Sequence, residues 1–562
     1  MLRTDRVEIG YIYLYAVFSG IINLSLPLGI QAILNFIQGG AVSSSLWLLI
    51  IIVTLGTLLA GVLVIMQLSV SETLQRRIFT RVAFDFAQRL PNLKTEALHG
   101  EYLPEVVNRF FDTLVIQKNL PKVLIDLSTS VMQILLGLIL LAFYSSLFLV
   151  FGVILIVVLF AIFWVSGPSG LKTSLVESKY KYAVAHWLEE LGRTVHTFKL
   201  AGATDLPLQK TDKLVVGYLE ARKAHFRILL LQYGSIVGFK TLVTGVLLSL
   251  GGWLVITNQI NLGQFVAAEL VILLVISSSE KLVSTMEIVY DLLTSLEKIG
   301  YVTDLPTEVT SGIHFSEIDT GKGIDIDLVG VSHQFADANS QTIRNIELSI
   351  KSGEKVILAG YNGSGKTTLI QLISGFLTNS SGQILYNNIP RGNLNINSIR
   401  AAIGDYSSQE VVFRGTLLEN ITLNKPDIDF GQVVAIAQKI GLDTFVNTMP
   451  QGYDTPLLPE GKRLPRSVLA KIILTRCLVG NPRLLAVEEM MANLEYVDRI
   501  KIIDILTDKN QTWTMIAVTD DPLLASRCDR VIIMRHGKII ESGTFQQIKQ
   551  SEHYDKVFKT SK

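Results

Sequence analysis

Charged residues are missing from three long stretches of the chain. No Asp, Glu, Lys or Arg occurs in residues 9–71 (63 residues), 127–171 (45 residues) or 241–268 (28 residues), and the third stretch stays apolar beyond Glu269 to residue 276. A membrane-spanning helix needs about 20 apolar residues. A soluble helix needs a polar face, which stretches of this length cannot supply. They therefore predict membrane spans.

Each stretch has a turn signal near its middle, at 39–45, 144–146 and 257–261, which divides it into two spans. We therefore predict six spans, at approximately 11–38, 46–70, 123–143, 147–166, 236–256 and 264–284. An acid inside a span is a candidate functional group or lies near an interface, and Glu269 is open to both interpretations. The predicted organisation is a membrane domain at 1–300, a linker at 301–322 and a second domain at 323–562.

Lysine and arginine are confined to the segments between these hairpins. Eight lie in 72–126 and eleven in 172–240, whereas the three hairpin turns carry none. Cytoplasmic loops are the ones rich in Lys and Arg, so both segments and the C-terminal half are predicted to be cytoplasmic. The chain is thus expected to be an integral protein of the cytoplasmic (inner) membrane, in contact with membrane lipid.

Both cytoplasmic segments are too long for tight connections. Their apolar periodicity predicts helices that extend the spans inward, with short tips at roughly 92–104 and 200–210. Composition leaves open whether these tips dock on another domain or are solvated hairpins.

The overall composition agrees with this division. Charged residues make up 18% of the chain, against about 25% in an ordinary soluble domain, and mean hydropathy is +0.41. The 50 basic and 49 acidic residues give a net charge of +1. This balance argues against a chain-wide basic tract, so no nucleic-acid partner is expected. The two cysteines, Cys477 and Cys528, lie in the cytoplasmic half and are not expected to form a structural disulfide.

A phosphate-binding motif follows the apolar run 355–359, which is predicted to be a buried strand. Residues 360–368 read Gly-Tyr-Asn-Gly-Ser-Gly-Lys-Thr-Thr and match the pattern G-x-x-x-x-G-K-[ST]. In such a loop backbone N–H groups wrap the phosphates, the lysine reaches the terminal phosphates and the threonine hydroxyl binds Mg²⁺. The predicted nucleotide site comprises Gly360, Asn362, Gly363, Ser364, Gly365, Lys366, Thr367 and Thr368.

With this motif in place, the chain resembles one half of an ABC transporter: an exporter-type membrane domain of six helices followed by an α/β P-loop NTPase domain of ABC type. The resemblance covers nearly the whole chain. Residues 406–409, Tyr-Ser-Ser-Gln, are similar to the family's Q-loop, and 530–534 with 541–544 look like the end of its core. Leu26-Pro27-Leu28, with Gln31 downstream, is similar to the first span of peptide- and protein-secreting members.

The resemblance implies further roles for residues and segments. ATP and Mg²⁺ would be the cofactors, and Phe335 would stack on adenine. Gln409 would be both a catalytic and a magnesium-binding residue. The tips at 92–104 and 200–210 would be coupling helices, which favours docking over solvation.

The family's signature, Leu-Ser-Gly-Gly-Gln, is altered in this chain. Residues 464–468 read Leu-Pro-Arg-Ser-Val. In the family this stretch approaches the γ-phosphate bound on the opposite subunit, so Leu464, Pro465, Arg466 and Ser467 are candidate nucleotide-contacting residues. Pro465 has no N–H to donate, and Arg466 and Ser467 add side chains where the backbone must come close.

Of three further catalytic positions, two differ from the family pattern and one keeps it. Glu488-Glu489 stands where the family has Asp-Glu, so Glu488 would lie near Mg²⁺ and Glu489 would be the general base; the alternative is two exposed acids at a strand end. Asp520 stands where the family has a histidine that touches the γ-phosphate. At about 4 Å from a phosphate charge, a carboxylate would repel it by up to ~4 kcal/mol at an effective dielectric of ~20.

The sequence therefore predicts ATP-dependent export of a substrate, with peptide or protein as the candidate cargo, by one half of a dimeric exporter. The partners would be a second half, identical or different, and a periplasmic adaptor protein. The altered signature and Asp520 predict weak or asymmetric ATP hydrolysis. Two alternatives remain: a catalytically silent ATP-binding subunit with a regulatory or structural role, or a lipid or drug exporter half.

Overall fold

The computed structural model describes residues 4–38, 44–98, 102–407 and 411–558. The chain divides into two units. One comprises Met1–Pro91 and Glu101–Leu305, and the other comprises Asn92–Gly100 and Pro306–Lys562. The second unit thus includes a short segment whose neighbours in sequence belong to the first.

The first unit is helical. Within the described residues, six helical stretches are long and apolar enough to cross a membrane, which confirms the six predicted spans. Its helices are α1 Arg6–Asn23, α2 Ser25–Gln38, α3 Ser44–Arg89, α4 Leu103–Asn108, α5 Asp112–Tyr144, α6 Ser146–Arg193, α7 Val195–Leu200, α8 Leu206–Ile256 and α9 Leu262–Asp304.

Four of these helices are far longer than a membrane is thick. Helices α3, α6, α8 and α9 have 46, 48, 51 and 43 residues. At about 1.5 Å per residue they extend roughly 65–75 Å, about twice the ~30 Å hydrocarbon core. The helical extensions predicted from the apolar periodicity are therefore continuous with the spans.

The first span is broken rather than straight. Helix α1 ends at Asn23 and α2 begins at Ser25. Proline lacks an N–H and its ring crowds the carbonyl four residues earlier, and four residues before Pro27 is Asn23. The break follows from this proline.

Two of the predicted hairpin turns lie in the described part of the chain. One is an extended Ser145 between α5 and α6, and the other lies between Ile256 and Leu262. Residues 39–43 of the remaining predicted turn lie outside the described residues. Glu269 is half-buried on α9.

The second unit is built on two larger sheets. The strands are β1 Ile326–His333, β2 Ile343–Ile350, β3 Lys355–Gly360, β4 Ser381–Tyr386, β5 Ile389–Pro390, β6 Ile403–Tyr406, β7 Gly415–Thr416, β8 Pro456–Leu457, β9 Leu484–Glu488, β10 Thr514–Val518, β11 Arg530–Arg535 and β12 Lys538–Gly543. The first sheet, in the order β2-β1-β4-β5, is antiparallel. The second, in the order β12-β11-β3-β10-β9-β6, is parallel except at β12.

Helices cover these sheets. They are α10 Lys366–Ile373, α11 Ile396–Ala401, α12 Leu417–Thr422, α13 Phe430–Ile440, α14 Asp443–Thr448, α15 Arg466–Val479, α16 Tyr496–Leu506, α17 Pro522–Arg527, α18 Phe545–Lys549 and α19 Tyr554–Phe558. The central strands β9 and β10 are buried along their length, and β3 is buried up to Ala359, as expected for a parallel sheet covered on both faces.

Residues 92–98 pack within the second unit. Leu93 pairs with Thr307 in an isolated antiparallel bridge. The Lys94 amide donates to the Pro306 carbonyl at 3.0 Å, and the Glu308 amide donates to the Asn92 carbonyl at 2.8 Å. We call residues 92–98 the docking segment.

Candidate nucleotide-binding site

Three neighbouring parallel strands end at the same edge of the larger sheet. In the register of β3, β10 and β9, Leu358 is paired with Val518, and Val518 with Glu488. The residues that follow these strands therefore meet at one place. Ligands of open α/β sheets bind at such carboxyl edges.

The loop after β3 adopts backbone conformations that require glycine. Gly360 has φ 147° and Gly365 has φ 96°. A Cβ on Gly360 would lie 2.3 Å from the Met534 carbonyl oxygen, and one on Gly365 would lie 2.8 Å from the Ile343 side chain. The loop thus comes closer to its neighbours than any side chain would permit, and Lys366 then begins α10.

Lys366 is directed toward the loop that precedes it. Its Nζ donates to the carbonyl oxygens of Gly360 and Tyr361, each at 3.0 Å. Burial lowers the pKa of its ammonium, while the nearby carboxylates of Glu489, Asp520 and Glu488 act to raise it. The two hydrogen bonds from the Lys366 ammonium therefore fix the backbone at the start of the loop. Three carboxylates lie near the same ammonium.

Thr367 and Glu488 are in direct contact. The Thr367 hydroxyl donates to Oε1 of Glu488, and Glu488 is buried at the end of β9. A hydroxyl and a carboxylate oxygen are thus placed side by side, next to the loop.

Glu489 has an unusual backbone conformation. Its φ is 49° and its ψ 26°, in the left-handed region that non-glycine residues rarely adopt. Its amide donates to the Val518 carbonyl at 3.0 Å, which holds the residue in place against the strain. Such outliers cluster at functional sites, and the exposed Glu489 side chain reaches the cleft described below.

Asp520 and Asp521 follow β10 and serve different purposes. Asp521 is buried, caps α17 by accepting from the Leu523 and Leu524 amides, and pairs with Arg499. Asp520 is exposed and lines the cleft. The anchored neighbour thus fixes the backbone that presents Asp520.

A cleft of about 730 Å³ lies where these residues meet. It brings together the predicted site residues Gly360, Asn362, Lys366, Glu489 and Asp520. Sequence reasoning missed the other residues that line it, which are Tyr361, Met491, Ala492, Val518, Thr519, Lys556 and Val557.

Tyr361 links the cleft to the C-terminal helix. Its hydroxyl lies 3.3 Å from Nδ1 of His553, next to the start of α19. Tyr361 occupies a variable position of the motif, and Lys556 lies almost 200 residues away in the sequence. No local pattern marks either residue.

The other described residues predicted for the site are not in the cleft's lining. Gly363 and Ser364 complete the loop and Thr368 is buried in α10. Phe335 follows β1 and packs against the core of the antiparallel sheet. Gln409 lies outside the described residues.

The altered signature stretch lies at the beginning of α15. Leu464 packs on an apolar cluster, Pro465 precedes the helix, and Arg466 and Ser467 form its first turn. Pro465 and Arg466 are exposed, so their surfaces are free to meet another molecule.

The chain matches the family model for the ABC transporter transmembrane region over residues 9–279 and the model for ABC transporter over residues 343–492. Among curated proteins, it is 26% identical over 365 residues to the alpha-hemolysin translocation ATP-binding protein of Escherichia coli O157:H7, covering 64% of this chain and 51% of that protein. It is also 26% identical over 370 residues to the leukotoxin export ATP-binding protein of Aggregatibacter actinomycetemcomitans, covering 65% and 51%.

The chain spans about half the length of these curated relatives. Among solved structures, a bacterial Atm1-family ABC exporter with ATP bound aligns with a TM-score of 0.84 over 98% of each chain, at 16% sequence identity. At this identity the likeness shows a shared fold.

Proposed function

Because the chain belongs to the ABC transporter family, we propose that it is one half of a dimeric exporter that moves a peptide or protein out of the cytoplasm and hydrolyses ATP weakly. It joins the exporter-type membrane domain and the ATP-binding domain in one polypeptide. The observation that carries the proposal is the cleft in which Lys366, Glu489 and Asp520 meet at one sheet edge.

The residues around the cleft suit ATP together with Mg²⁺. Gly360 and Gly365 give the loop its positive-φ conformation, and backbone N–H groups of such a loop are the donors that bind phosphates. Mg²⁺ is typically held by one or two protein oxygens plus phosphate and water. Thr367 and Glu488 offer such oxygens, and Gln409 is a further candidate ligand.

A bound Mg²⁺ would neutralise phosphate charge. Among the described residues, no group of three or more His, Cys, Asp or Glu side chains could hold a metal ion.

Glu489 is the proposed general base. Its carboxylate can accept a proton from a water positioned in the cleft, and its strained backbone is fixed by the bond to Val518. Phe335 is the proposed platform for adenine.

Two features would slow hydrolysis. Asp520 faces the cleft where a hydrogen-bond donor would stabilise the transferring phosphoryl group, and losing such a donor costs about 10²–10³ in rate. The signature is also altered on the surface that would face a partner subunit. Pro465 removes a backbone N–H donor there, and Arg466 and Ser467 add side chains where glycines would let the backbone approach. In a homodimer both sites would carry both changes, whereas in a heterodimer with an intact partner each site would carry one.

The cargo is inferred from the relatives, which are named for translocating or exporting alpha-hemolysin and leukotoxin. By analogy, a polypeptide would leave the cell through the membrane domain and pass to a periplasmic adaptor protein. Large apolar side chains on α3, such as Trp47, Ile51 and Leu58, are more than half exposed, and membrane lipid would cover them.

The position of Asp520 also favours a second candidate: a silent subunit that binds ATP without turning it over and regulates or supports a partner. Both candidates are tested by purifying the full chain in lipid nanodiscs, alone and with its native partners. Weak ATP hydrolysis that disappears in Glu489→Gln supports the exporter. ATP binding without any hydrolysis, by the chain alone and with its partners, supports the silent subunit. Brisk turnover by the chain alone, lost in Glu489→Gln, would contradict the weak-hydrolysis proposal.

A further inference from the structure

The docking segment is hydrogen-bonded to a loop of the second unit. The Glu96 carboxylate accepts hydrogen bonds from both the amide and the hydroxyl of Thr378. Two donors from one residue fix the position of the Thr378 backbone. Glu96, Thr378 and the residues described below all belong to the second unit.

The loop that carries Thr378 is also bonded to the end of β1. The Ser380 amide donates to the Ser332 carbonyl at 2.8 Å, and the Gln334 amide donates to the Ser380 hydroxyl at 3.1 Å. A displacement of Thr378 would therefore also displace the residues at the end of β1.

His333 is the last residue of β1 and is 3% exposed. Its Nδ1 lies 2.7 Å from the Thr378 carbonyl oxygen. Because a carbonyl only accepts, Nδ1 must carry the proton. Nε2 is buried and has no hydrogen-bond partner among the described residues, so the Thr378 carbonyl is the polar contact that orients the ring.

The same ring supports Phe335. The centroids of His333 and Phe335 are 4.8 Å apart and the ring planes meet at 88°. An edge-to-face pair of this kind depends on the orientation of both rings. A contact chain thus runs from Glu96 through Thr378 and His333 to Phe335.

We propose that His333 is a positioning residue through which the docked segment sets the adenine-binding surface, so that ATP affinity depends on the Glu96–Thr378 contact. This inference rests on the proposed function, in which Phe335 stacks on adenine. Coupling between sites is reciprocal, so bound ATP should in turn hold the docking segment more tightly.

The test compares ATP with inorganic tripolyphosphate, which lacks the base and ribose, on the full chain in nanodiscs. We expect Glu96→Ala to weaken ATP binding by about five-fold or more, the lower end of typical coupling, and to leave tripolyphosphate binding unchanged. Lys94→Ala is the matched control, because the contact of Lys94 with Pro306 uses the backbone amide. In a Phe335→Ala background, Glu96→Ala should have no further effect.

Two substitutions of His333 separate the parts of its role. His333→Asn keeps a donor near the Nδ1 position but loses the ring, and His333→Phe keeps a ring but loses the donor. Both should weaken ATP selectively, and His333→Phe should also abolish the protection from hydrogen exchange that ATP gives residues 92–98.

Three results would overturn the inference. Unchanged affinities in Glu96→Ala would show that the contact is not coupled to the site. Equal losses for ATP and tripolyphosphate would show an effect on the phosphate loop or on folding instead. An unaltered chain that binds neither ligand would overturn the proposed function and this inference with it.

Discussion

At the scale of single residues, the two adjacent acids after β10 have opposite environments. Asp521 is 3% exposed and engaged with α17 and Arg499, whereas Asp520 faces the cleft. A substitution of Asp520 should therefore change the rate of ATP hydrolysis, and a substitution of Asp521 should change the stability of the fold.

We expect Asp520→His to raise the rate of ATP hydrolysis by at least ten-fold. The substitution removes a carboxylate that repels phosphate charge and adds a donor whose loss typically costs about 10²–10³ in rate. The measurement is phosphate release by the full chain in nanodiscs. As a control, Asp521→Asn should lower the unfolding temperature without raising the rate, and an unchanged rate in Asp520→His would contradict the role given to Asp520.

A second residue-scale prediction concerns Gly360. Gly360→Ala should lower the unfolding temperature of the second unit and abolish ATP binding, because its Cβ would lie 2.3 Å from the Met534 carbonyl oxygen. Gly392→Ala is the control, since a Cβ there meets nothing within 4 Å. Differential scanning calorimetry and nucleotide titration report both effects, and equal stability of the two variants would refute the packing argument.

Much of the candidate cleft could be predicted because its residues belong to a contiguous motif or end a recognisable apolar strand. Asp520 is indicated by the family resemblance, because it stands where the family has a histidine. The contribution of Tyr361 and Lys556 to the cleft could not be predicted from the sequence. It depends on α19 packing beside the loop after β3, which no local pattern indicates. The contact of Thr378 with Glu96 likewise joins residues 282 positions apart.

At the scale of elements, the short C-terminal helix α19 is held by aromatic packing. Phe558 is 4% exposed, and its ring lies 5.9 Å from that of Phe545 and 5.3 Å from that of Tyr554. The hydrogen bond between Tyr361 and His553 joins the start of this helix to the phosphate loop.

Phe558→Ala should therefore lower the free energy of unfolding of the second unit by about 3 kcal/mol, at the low end for a buried phenylalanine. It should also weaken ATP binding, since α19 borders the cleft. Tyr496→Ala provides the comparison, because Tyr496 is 72% exposed. Chemical denaturation measures the first effect, and a loss as small as that of Tyr496→Ala would argue against the anchoring role of α19.

The docking segment should respond to acid. Burial acts to raise the pKa of Glu96, but the hydrogen bonds from the Thr378 hydroxyl and amide outweigh it, so that the pKa lies below its ordinary value of 4.5. A carboxyl whose pKa is lowered by folding stabilises the fold above its unfolded pKa, and this contribution is lost as pH falls through the folded value.

We therefore expect the unaltered chain to unfold at a higher temperature than Glu96→Gln at pH 6, with the difference shrinking as pH falls below about 4.5. Thermal unfolding at a series of pH values measures this. A difference that stays constant down to pH 3.5 would contradict the assignment.

The membrane-spanning helices and the strand before the phosphate loop were predictable because long apolar runs mark them locally. The break between α1 and α2 is set by Pro27 and is equally local. The placement of the docking segment is not, because Leu93 pairs with Thr307 across a long sequence separation and nothing in residues 92–98 identifies that partner.

At the scale of the whole molecule, the chain is an integral membrane protein, with six helical stretches long and apolar enough to span a membrane among the described residues and an ABC-type nucleotide domain after them. The distribution of Lys and Arg places the turn between α8 and α9 on the side opposite to the tip between α7 and α8. Residues Thr204 and Asn258 are exposed at these two positions.

Cysteine labelling tests this orientation in a chain whose native Cys477 and Cys528 are replaced by serine. A membrane-impermeant maleimide should label Asn258→Cys in cells with a permeabilised outer membrane. It should label Thr204→Cys only after the inner membrane is opened. The reverse pattern would invert the predicted topology.

The membership of residues 92–98 in the second unit has a consequence for how the chain is made. Leu93 leaves the ribosome 214 residues before its partner Thr307, which at about 5–20 residues per second is a delay on the order of ten to forty seconds. During that interval the bridge partner of Leu93, which is 4% exposed in the folded chain, has not yet been synthesised. Residues 92–98 must therefore stay accessible until the nucleotide domain has been synthesised. A chaperone that binds nascent cytoplasmic loops could bind them during this interval.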